Sequence, residues 1–306
     1  MIKQDYYLCD IFKGLKTIRN VLGSGNNLIN VIMEPYKSKE IIEMFIEENK
    51  HKSILYLSFK KSKLDSNLAC DTLLFDSFMN ITKVYDFVII DDISFYSNYN
   101  ISALIELANS IYKNTKNIII FAIDIVFENT ANIFITTQTK ETHFKEPRVI
   151  VSRFDLRRTI PSIFYSYLEW FYHNGENVLI YVEKEKEQGI YGKFIEFKKE
   201  FIDMNVILFK GNTNNLLTQL DKNKKTIIIN SNIQGIIDNI RNTNVILYND
   251  SKKFFYYKEI VFLCGRYSTL TEKKELILLS KKESINIDRA RGKARLYNQI
   301  AWGDEK

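Results

Sequence analysis

Proline is scarce in this sequence, and glycine is also infrequent. The chain of 306 residues contains three prolines and eleven glycines, which excludes a collagen-like protein and long flexible Gly- or Pro-rich linkers. Hydrophobic residues make up 45% of the chain and charged residues 26%, the balance of an ordinary globular protein. The length allows two domains of usual size.

Cysteine is rare, and long apolar runs are absent. Cys9, Cys70 and Cys264 are far apart and lack the spacing of a metal site, so we expect neither zinc nor disulfides, as is typical of a reducing cytoplasm. No apolar run approaches the roughly 20 residues of a membrane span, and the first residues do not resemble a signal peptide. We therefore expect a cytoplasmic protein, which reaches the inner face of a membrane only through partners.

Positive charge is concentrated in the second half of the chain. Residues 1–150 carry 17 Lys and Arg against 18 Asp and Glu, whereas residues 151–306 carry 26 against 19. The stretch Lys252–Arg295 has 12 basic and 5 acidic residues. Such an excess favours a polyanionic partner, although a solvated Lys-rich surface would have the same composition.

The central feature of the sequence is Val84–Ser94, an apolar run that ends in the adjacent acids Asp91 and Asp92. A run of this kind predicts a strand buried on both faces of a parallel sheet. Carboxylates at the end of such a strand lie at the carboxyl edge of the sheet, where open α/β sheets bind ligands. In nucleotide-hydrolysing folds an acid at this place holds Mg²⁺. We predict Asp91 as a metal ligand; a buried strand followed by an acidic turn is the alternative.

Strand and helix patterns alternate along the whole chain. They predict an α/β protein with two lobes, residues 1–150 and 151–306, each a mostly parallel sheet flanked by helices, with a cleft between them. The main predicted elements are strands at Leu28–Met33, Ser53–Phe59, Asn117–Ile123, Asn177–Val182, Val206–Phe209, Lys225–Asn230, Asn244–Tyr248 and Glu275–Leu279, and helices at Ile41–Asn49, Ile101–Tyr112, Thr159–Asn174, Glu187–Met204, Leu216–Asp221 and Asp288–Trp302.

The loop after the first of these strands is where a phosphate-binding loop would lie. It contains Ser38, Lys39 and Glu40 at the start of the following helix, and we predict these three residues as nucleotide contacts. A phosphate-binding loop needs glycines, a Lys and a Ser or Thr, yet no glycine lies between Pro35 and Ile41. On its residues alone, an ordinary strand–helix turn is the alternative.

The order of these motifs resembles superfamily 2 helicases, and in particular the late-competence DNA-uptake ATPases (ComFA-like proteins). Tyr85–Tyr96 is similar to the Walker B segment of that family, and Asp71–Phe75 to the segment before it. Val151–Pro161 resembles the link into the second lobe, Asn177–Glu183 the first strand of that lobe, and Cys264-Gly265-Arg266 its arginine-finger motif.

The resemblance implies that the two lobes are RecA-like. It also implies ATP and Mg²⁺ as cofactors and DNA as the partner, together with proteins of the competence machinery. It also implies roles for individual residues. Lys39 would contact phosphates, Asp91 would hold Mg²⁺, Asp92 would orient water, and Arg266 would stabilise the transition state.

Several positions depart from the family pattern, and all of them concern phosphate and metal chemistry. Asp92 stands in place of Glu, which would displace the attacking water by roughly 1 Å. The other departures are the glycine-free first loop, Phe121–Asp124 in place of Ser-Ala-Thr, Phe262 in place of Gln, Thr269 in place of the second Arg, and the missing N-terminal zinc cluster.

We therefore favour a helicase-like protein that binds single-stranded or duplex DNA and has weakened or lost ATP hydrolysis. The alternatives are an active DNA-dependent ATPase and a protein-interaction module with docking faces at Phe164–Tyr172 and Phe254–Tyr257. Backbone contacts to nucleic acid come from Lys and Arg in this class. The predicted contacts are Arg153, Arg157, Arg158, Arg289, Arg291, Lys293 and Arg295.

Overall fold

In the computed structural model the chain forms two compact units. The first unit comprises Met1–Phe144 and Arg295–Lys306, and the second Lys145–Ala294. The residues that the structure describes are 4–58, 64–75, 77, 81–91, 109–139, 141–201, 203–210, 215, 218, 225–231, 243–249, 256–268 and 274–303.

The first unit is built on a seven-stranded sheet in which all strand pairs are parallel. The strand order is β1-β7-β2-β6-β5-β3-β4. Its elements are β1 (Gln4–Leu8), α1 (Ile11–Gly23), β2 (Leu28–Met33), α2 (Ser38–Glu48), β3 (Ile54–Ser58), β4 (Asp71–Leu74), β5 (Tyr85–Asp91), β6 (Thr115–Ala122) and β7 (Ala131–Ile135).

Burial on both faces explains the apolar runs of this sheet. Every residue of β2 and β3 is buried, and separate apolar clusters cover the two faces of the sheet. Helix α1 begins where the Asp10 side chain accepts a hydrogen bond of 2.8 Å from the backbone N–H of Lys13, which satisfies a donor that the helix itself leaves free. Leu15 and Ile18 place the apolar face of this helix in the core.

The second unit contains a six-stranded sheet, again with only parallel pairs, in the order β10-β11-β9-β12-β13-β8. Its elements are β8 (Arg148–Val151), α3 (Ser162–His173), β9 (Asn177–Tyr181), a 3-10 turn (Lys184–Lys186), α4 (Glu187–Lys198), β10 (Asn205–Leu208), β11 (Thr226–Asn230), β12 (Thr243–Asn249), α5 (Tyr257–Ser268), β13 (Leu276–Ser280) and α6 (Ile285–Gly303).

The predicted fold class is confirmed, since each unit is a parallel sheet packed against helices. The edge strand β1 was not predicted, because its residues are exposed or only partly buried and give a weak pattern. The predicted helices Ile101–Tyr112 and Leu216–Asp221 fall largely outside the described residues, and the cleft between the lobes stays a prediction. No described helix is long and apolar enough to cross a membrane.

The compact units differ from the expected division at residue 150 at two places. Strand β8 pairs with β13 in the second sheet, so residues 148–150 belong to the second unit. The C-terminal half of α6 belongs to the first unit, because its side chains are buried there. The Tyr297 hydroxyl donates a 2.8 Å hydrogen bond to the Met33 carbonyl.

Asn298 completes this attachment of the C-terminal helix to the first unit. Its side-chain oxygen accepts from the Phe144 backbone N–H at 2.7 Å, and its amide donates to the Phe144 carbonyl at 3.1 Å. Both interactions are buried, so they satisfy backbone groups that water does not reach.

We predict that Asn298→Ala lowers the free energy of unfolding by about 1–3 kcal/mol, because it leaves the two Phe144 backbone groups without partners. Urea unfolding measures the change. The matched control is Gln299→Ala, which alters an exposed amide on the same helix and should change stability by less than about 0.5 kcal/mol. Equal effects of the two substitutions would contradict the assignment of this helix half to the first unit.

Candidate functional site

Asp91 lies at the carboxyl edge of the first sheet, and both of its carboxylate oxygens accept hydrogen bonds from the protein. The Ser38 hydroxyl donates to Oδ1 at 2.7 Å, and the Tyr56 hydroxyl donates to Oδ2 at 2.6 Å. Strand β5 pairs with β3 so that Asp91 is opposite Ser58, and the first residue of α2 reaches the same place. The structure therefore brings together Ser38 and Asp91 from the predicted site and adds Tyr56.

The environment of Asp91 has two opposing effects on the pKa of its carboxyl group. Burial raises the pKa of its carboxyl group above the ordinary value, while the hydrogen bonds from Tyr56 and Ser38 lower it. Burial is the larger effect, as expected for a charge moved away from water. Asp91 is thus held by protein donors at the position where a metal ligand was expected.

The loop between β2 and α2 is short. It consists of the four residues Glu34–Lys37 and has no glycine, whereas roughly seven residues precede the Ser or Thr in a phosphate-binding loop. Tyr36 has a positive φ of 69°, a left-handed conformation that costs a non-glycine residue about 1 kcal/mol or more. The loop therefore lacks the length and the glycines of that motif.

Glu34, which the sequence interpretation missed, fixes the start of this loop. It is buried, and it accepts hydrogen bonds from the Thr136 hydroxyl and from the backbone N–H of Thr137, the latter at 2.9 and 3.1 Å. Burial raises the pKa of Glu34, and these hydrogen bonds lower it to a smaller extent. The sequence did contain a signal for this residue, because an acid there stands directly between an apolar strand and Pro35. A carboxylate here disfavours a bound phosphate, because like charges repel.

A small pocket, partly open to solvent, lies at this edge. Its volume is about 10 Å³, between residues that include Pro35, Ser38, Asp91 and Phe121, which is room for about one water molecule. Among the described residues, no group of three His, Cys, Asp or Glu side chains could hold a metal ion. Among the described residues, this edge therefore shows neither a three-ligand metal cluster nor a phosphate-binding loop of the usual length.

The remaining residues predicted for this site lie away from Asp91. Lys39 is exposed and forms an ion pair of 3.5 Å with Glu43 along helix α2, and Glu40 is exposed as well. Successive helical residues point about 100° apart, so only Ser38 of the three faces the acid. Asp92 lies outside the described residues.

In the second unit, Arg266 lies near the end of α5 and is partly buried. Phe262 and Cys264 of the same helix belong to the core, and burial strongly raises the pKa of the Cys264 thiol. Phe262, which replaces the polar Gln of the family motif, is therefore a packing residue. Thr269 lies outside the described residues.

The loop after β8 presents positive charge at the carboxyl edge of the second sheet. Arg153, Arg157 and Arg158 are exposed there, and Lys281 and Lys282 follow the neighbouring strand β13, whose Ser280 carbonyl accepts a 2.8 Å hydrogen bond from the Ser152 N–H. We call these five residues the basic edge: Arg153, Arg157, Arg158, Lys281 and Lys282.

The three arginines of the basic edge differ in their partners. Arg157 forms an ion pair of 2.5 Å with Asp155, and this hydrogen-bonded pairing holds the pKa of Asp155 well below its usual range. Arg158 borders a groove of about 350 Å³ whose acids are already hydrogen-bonded, Glu196 to Lys193 and Glu200 to Tyr165.

The four basic residues predicted on α6 do not form one face. Positions two apart in a helix point roughly 200° apart, so Arg289 and Lys293 share one side and Arg291 and Arg295 the other. The Arg289 guanidinium lies 4.0 Å from the centre of the Tyr257 ring, and Arg291 pairs with Glu283 at 3.5 Å. Arg289 and Arg291 of the expected basic run are thus engaged within the protein.

The aromatic segment Phe164–Tyr172, considered as a docking face, is mainly core. Phe164, Leu168 and Phe171 are buried in the apolar cluster of the second unit, while Trp170 remains about half exposed. Residues 254 and 255 of the second proposed face lie outside the described residues.

No protein-family model matches the chain, and no curated protein matches it. Among solved structures it is similar to Saccharomyces cerevisiae Dbp5 bound to RNA and ADP–BeF3, with a TM-score of 0.40 and 11% sequence identity over 96% of this chain and 83% of that one.

The raised pKa of Glu34 predicts how stability depends on pH. The folded protein binds this proton more tightly than the unfolded chain, so the free energy of unfolding should fall as pH rises from the ordinary value of 4.5 through the raised pKa. Glu34→Gln should reduce that fall, measured by urea unfolding across the pH range. Glu47→Gln, at an exposed position of α2, is the control. An unchanged pH dependence in Glu34→Gln would disprove the assignment.

Proposed function

We propose that this chain is a helicase-like protein that binds nucleic acid through its second unit and has lost ATP hydrolysis. The observation that carries the proposal is the contrast between the two carboxyl edges. The acid of the first edge is held by Ser38 and Tyr56 beside a four-residue loop, whereas the second edge presents exposed arginines.

The basic edge supports the nucleic-acid part of the proposal. Among the described residues, Arg153 and Arg158 have no ion-pair partner, and Lys282 is exposed without one as well. Unpaired cations at the ligand-binding edge of a parallel sheet are suited to phosphate groups. Arg157 is neutralised by Asp155, so we assign it the role of shaping the loop, with direct phosphate contact left to its neighbours.

The first unit supports the loss of hydrolysis. Phosphoryl transfer depends almost entirely on positioning phosphates and a metal ion, and the four-residue loop beside Asp91 is shorter than a phosphate-binding loop. Lys39 is paired with Glu43 on the helix surface. We propose that the fold is retained as a scaffold for binding.

The cellular setting is part of the proposal and rests on the motif resemblance to ComFA-like proteins. In this setting the chain acts in the cytoplasm during DNA uptake, at the inner face of the membrane through partners of the competence machinery. DNA is the polymer that this role requires. The core position of Phe164 and Phe171 weighs against a module built on that aromatic face.

We predict that single-stranded DNA does not stimulate release of phosphate from ATP with Mg²⁺, and that Lys39→Ala and Asp91→Ala leave the basal rate unchanged. The thermal unfolding temperature should not rise with ATP and Mg²⁺, whereas a bound ligand at about 100 times its Kd would stabilise by about 2.7 kcal/mol. DNA itself, which should raise that temperature, is the positive control. DNA-stimulated hydrolysis that both substitutions abolish would overturn the loss of activity.

We predict that Arg153→Ala and Arg158→Ala each weaken DNA binding and reduce the dependence of affinity on salt. Each lost phosphate contact should lower the slope of log K against log salt by about 0.7–0.9. Fluorescence anisotropy over a salt series measures both effects. Arg19→Ala is the charge-matched control, since Arg19 lies on α1 of the first unit and pairs with Glu48. A slope equal in all three variants would contradict a phosphate site at the basic edge.

A further inference from the structure

Phe154 is an exposed aromatic residue within the basic edge. About 60% of its surface is accessible to solvent, and it follows Arg153 directly in the chain. Single exposed apolar residues are common and need no explanation by themselves. The setting of Phe154 is different, because the surrounding loop is fixed and the net charge of the basic edge is positive.

The loop that carries Phe154 is held in place on both sides. The Phe154 backbone N–H donates to the Ser152 hydroxyl at 3.3 Å, and the Leu156 N–H donates to the Tyr248 hydroxyl at 3.2 Å. The Leu156 side chain is fully buried. The exposure of Phe154 is therefore a property of an anchored turn.

A second contact fixes the shape of the same turn. The Asp155 carbonyl accepts from the Arg158 and Thr159 N–H groups at 2.8 and 2.9 Å, and the Asp155 carboxylate pairs with Arg157. The aliphatic part of Arg157 packs on Gly189 of α4, where an added Cβ would lie 3.2 Å from Arg157 Cγ and Cδ. Arg157 thus stabilises the turn, and its guanidinium neutralises Asp155 within the same loop.

The charge around Phe154 favours a polyanion. Lys281 lies close enough to Asp155 to lower its pKa, and the loops after β8 and β13 are joined through Ser152 and Ser280. With Asp155 neutralised by Arg157, the net charge here is positive. An aromatic ring beside cations matches the way proteins bind single strands, where bases stack on aromatic rings and cations follow the phosphates.

We propose that Phe154 stacks on a base of single-stranded nucleic acid whose phosphates bind the basic edge. The proposal rests on the proposed function and adds a preference, since the base faces of a duplex are covered by neighbouring base pairs. The ring gives affinity that does not depend on salt, and the arginines give affinity that does.

The test measures binding by fluorescence anisotropy for three proteins: the 306-residue wild type, Phe154→Ala and Phe154→Trp. The ligands are a DNA single strand, the same strand as RNA, the DNA duplex, and a DNA backbone without bases. Phe154→Ala should weaken binding to the base-bearing strands roughly ten- to hundredfold with the salt slope unchanged. Binding to the duplex and to the strand without bases should stay the same. Phe154→Trp should bind these strands as the wild type does, because it keeps an aromatic ring. The fluorescence of a 2-aminopurine base in the strand should be quenched on binding to wild type and to Phe154→Trp, but not on binding to Phe154→Ala. The DNA and RNA arms identify the polymer.

Phe12→Ala is the matched control, because Phe12 is 67% exposed on α1 of the first unit. Binding by wild type to none of the polymers would refute the proposed function itself. Salt-dependent binding that Phe154→Ala leaves intact, or weakens equally on the strand without bases, would refute stacking alone. Displacement of the strand by poly-glutamate with the same dependence on Phe154 would assign the surface to an acidic protein segment and overturn the proposal.

Discussion

Parallel pairing of every strand is the constraint on which both units depend. A parallel sheet needs a crossover after each strand, and the crossovers cover both of its faces. Its strands must therefore be apolar on both sides, as β2 and β3 are. The same pairing brings the carboxyl ends of all strands to one edge. In each unit that edge carries the polar residues on which our functional interpretation depends.

The carboxyl edges of the two sheets share one architecture but differ in the charge that they present to solvent. In the first unit a short loop and a buried Glu34 bring the start of α2 against Asp91, and the hydroxyls of Ser38 and Tyr56 satisfy the acid. In the second unit Asp155 is satisfied by Arg157, which leaves Arg153 facing solvent. At the first edge two hydroxyl groups hold the acid by hydrogen bonds, whereas at the second edge an arginine neutralises the acid and a positive surface remains.

The sequence predicted those features that a local pattern determines. It did not predict features that depend on contacts between residues far apart in the chain. The runs that form β2, β5 and β6 were recognised because burial on both faces requires continuous apolar residues. Ser38, Lys39 and Glu40 were all predicted as contacts from residue type and position, and only helix geometry shows that Ser38 is the one turned toward Asp91. Glu34 was overlooked, since its partners Thr136 and Thr137 lie about a hundred residues further along the chain.

The sequence by itself determined the class of fold, the order of its strands along the chain and the concentration of positive charge in the second half, because these follow from local periodicity and composition. Tertiary structure alone decided that the end of α6 joins the first unit through Tyr297 and Asn298, and that Phe154 stands exposed on an anchored turn. It also decided how Asp91 is used. The paired acids at the end of β5 first indicated a metal site, but a carboxylate's role depends on which donors reach its oxygens, and here Ser38 and Tyr56 do.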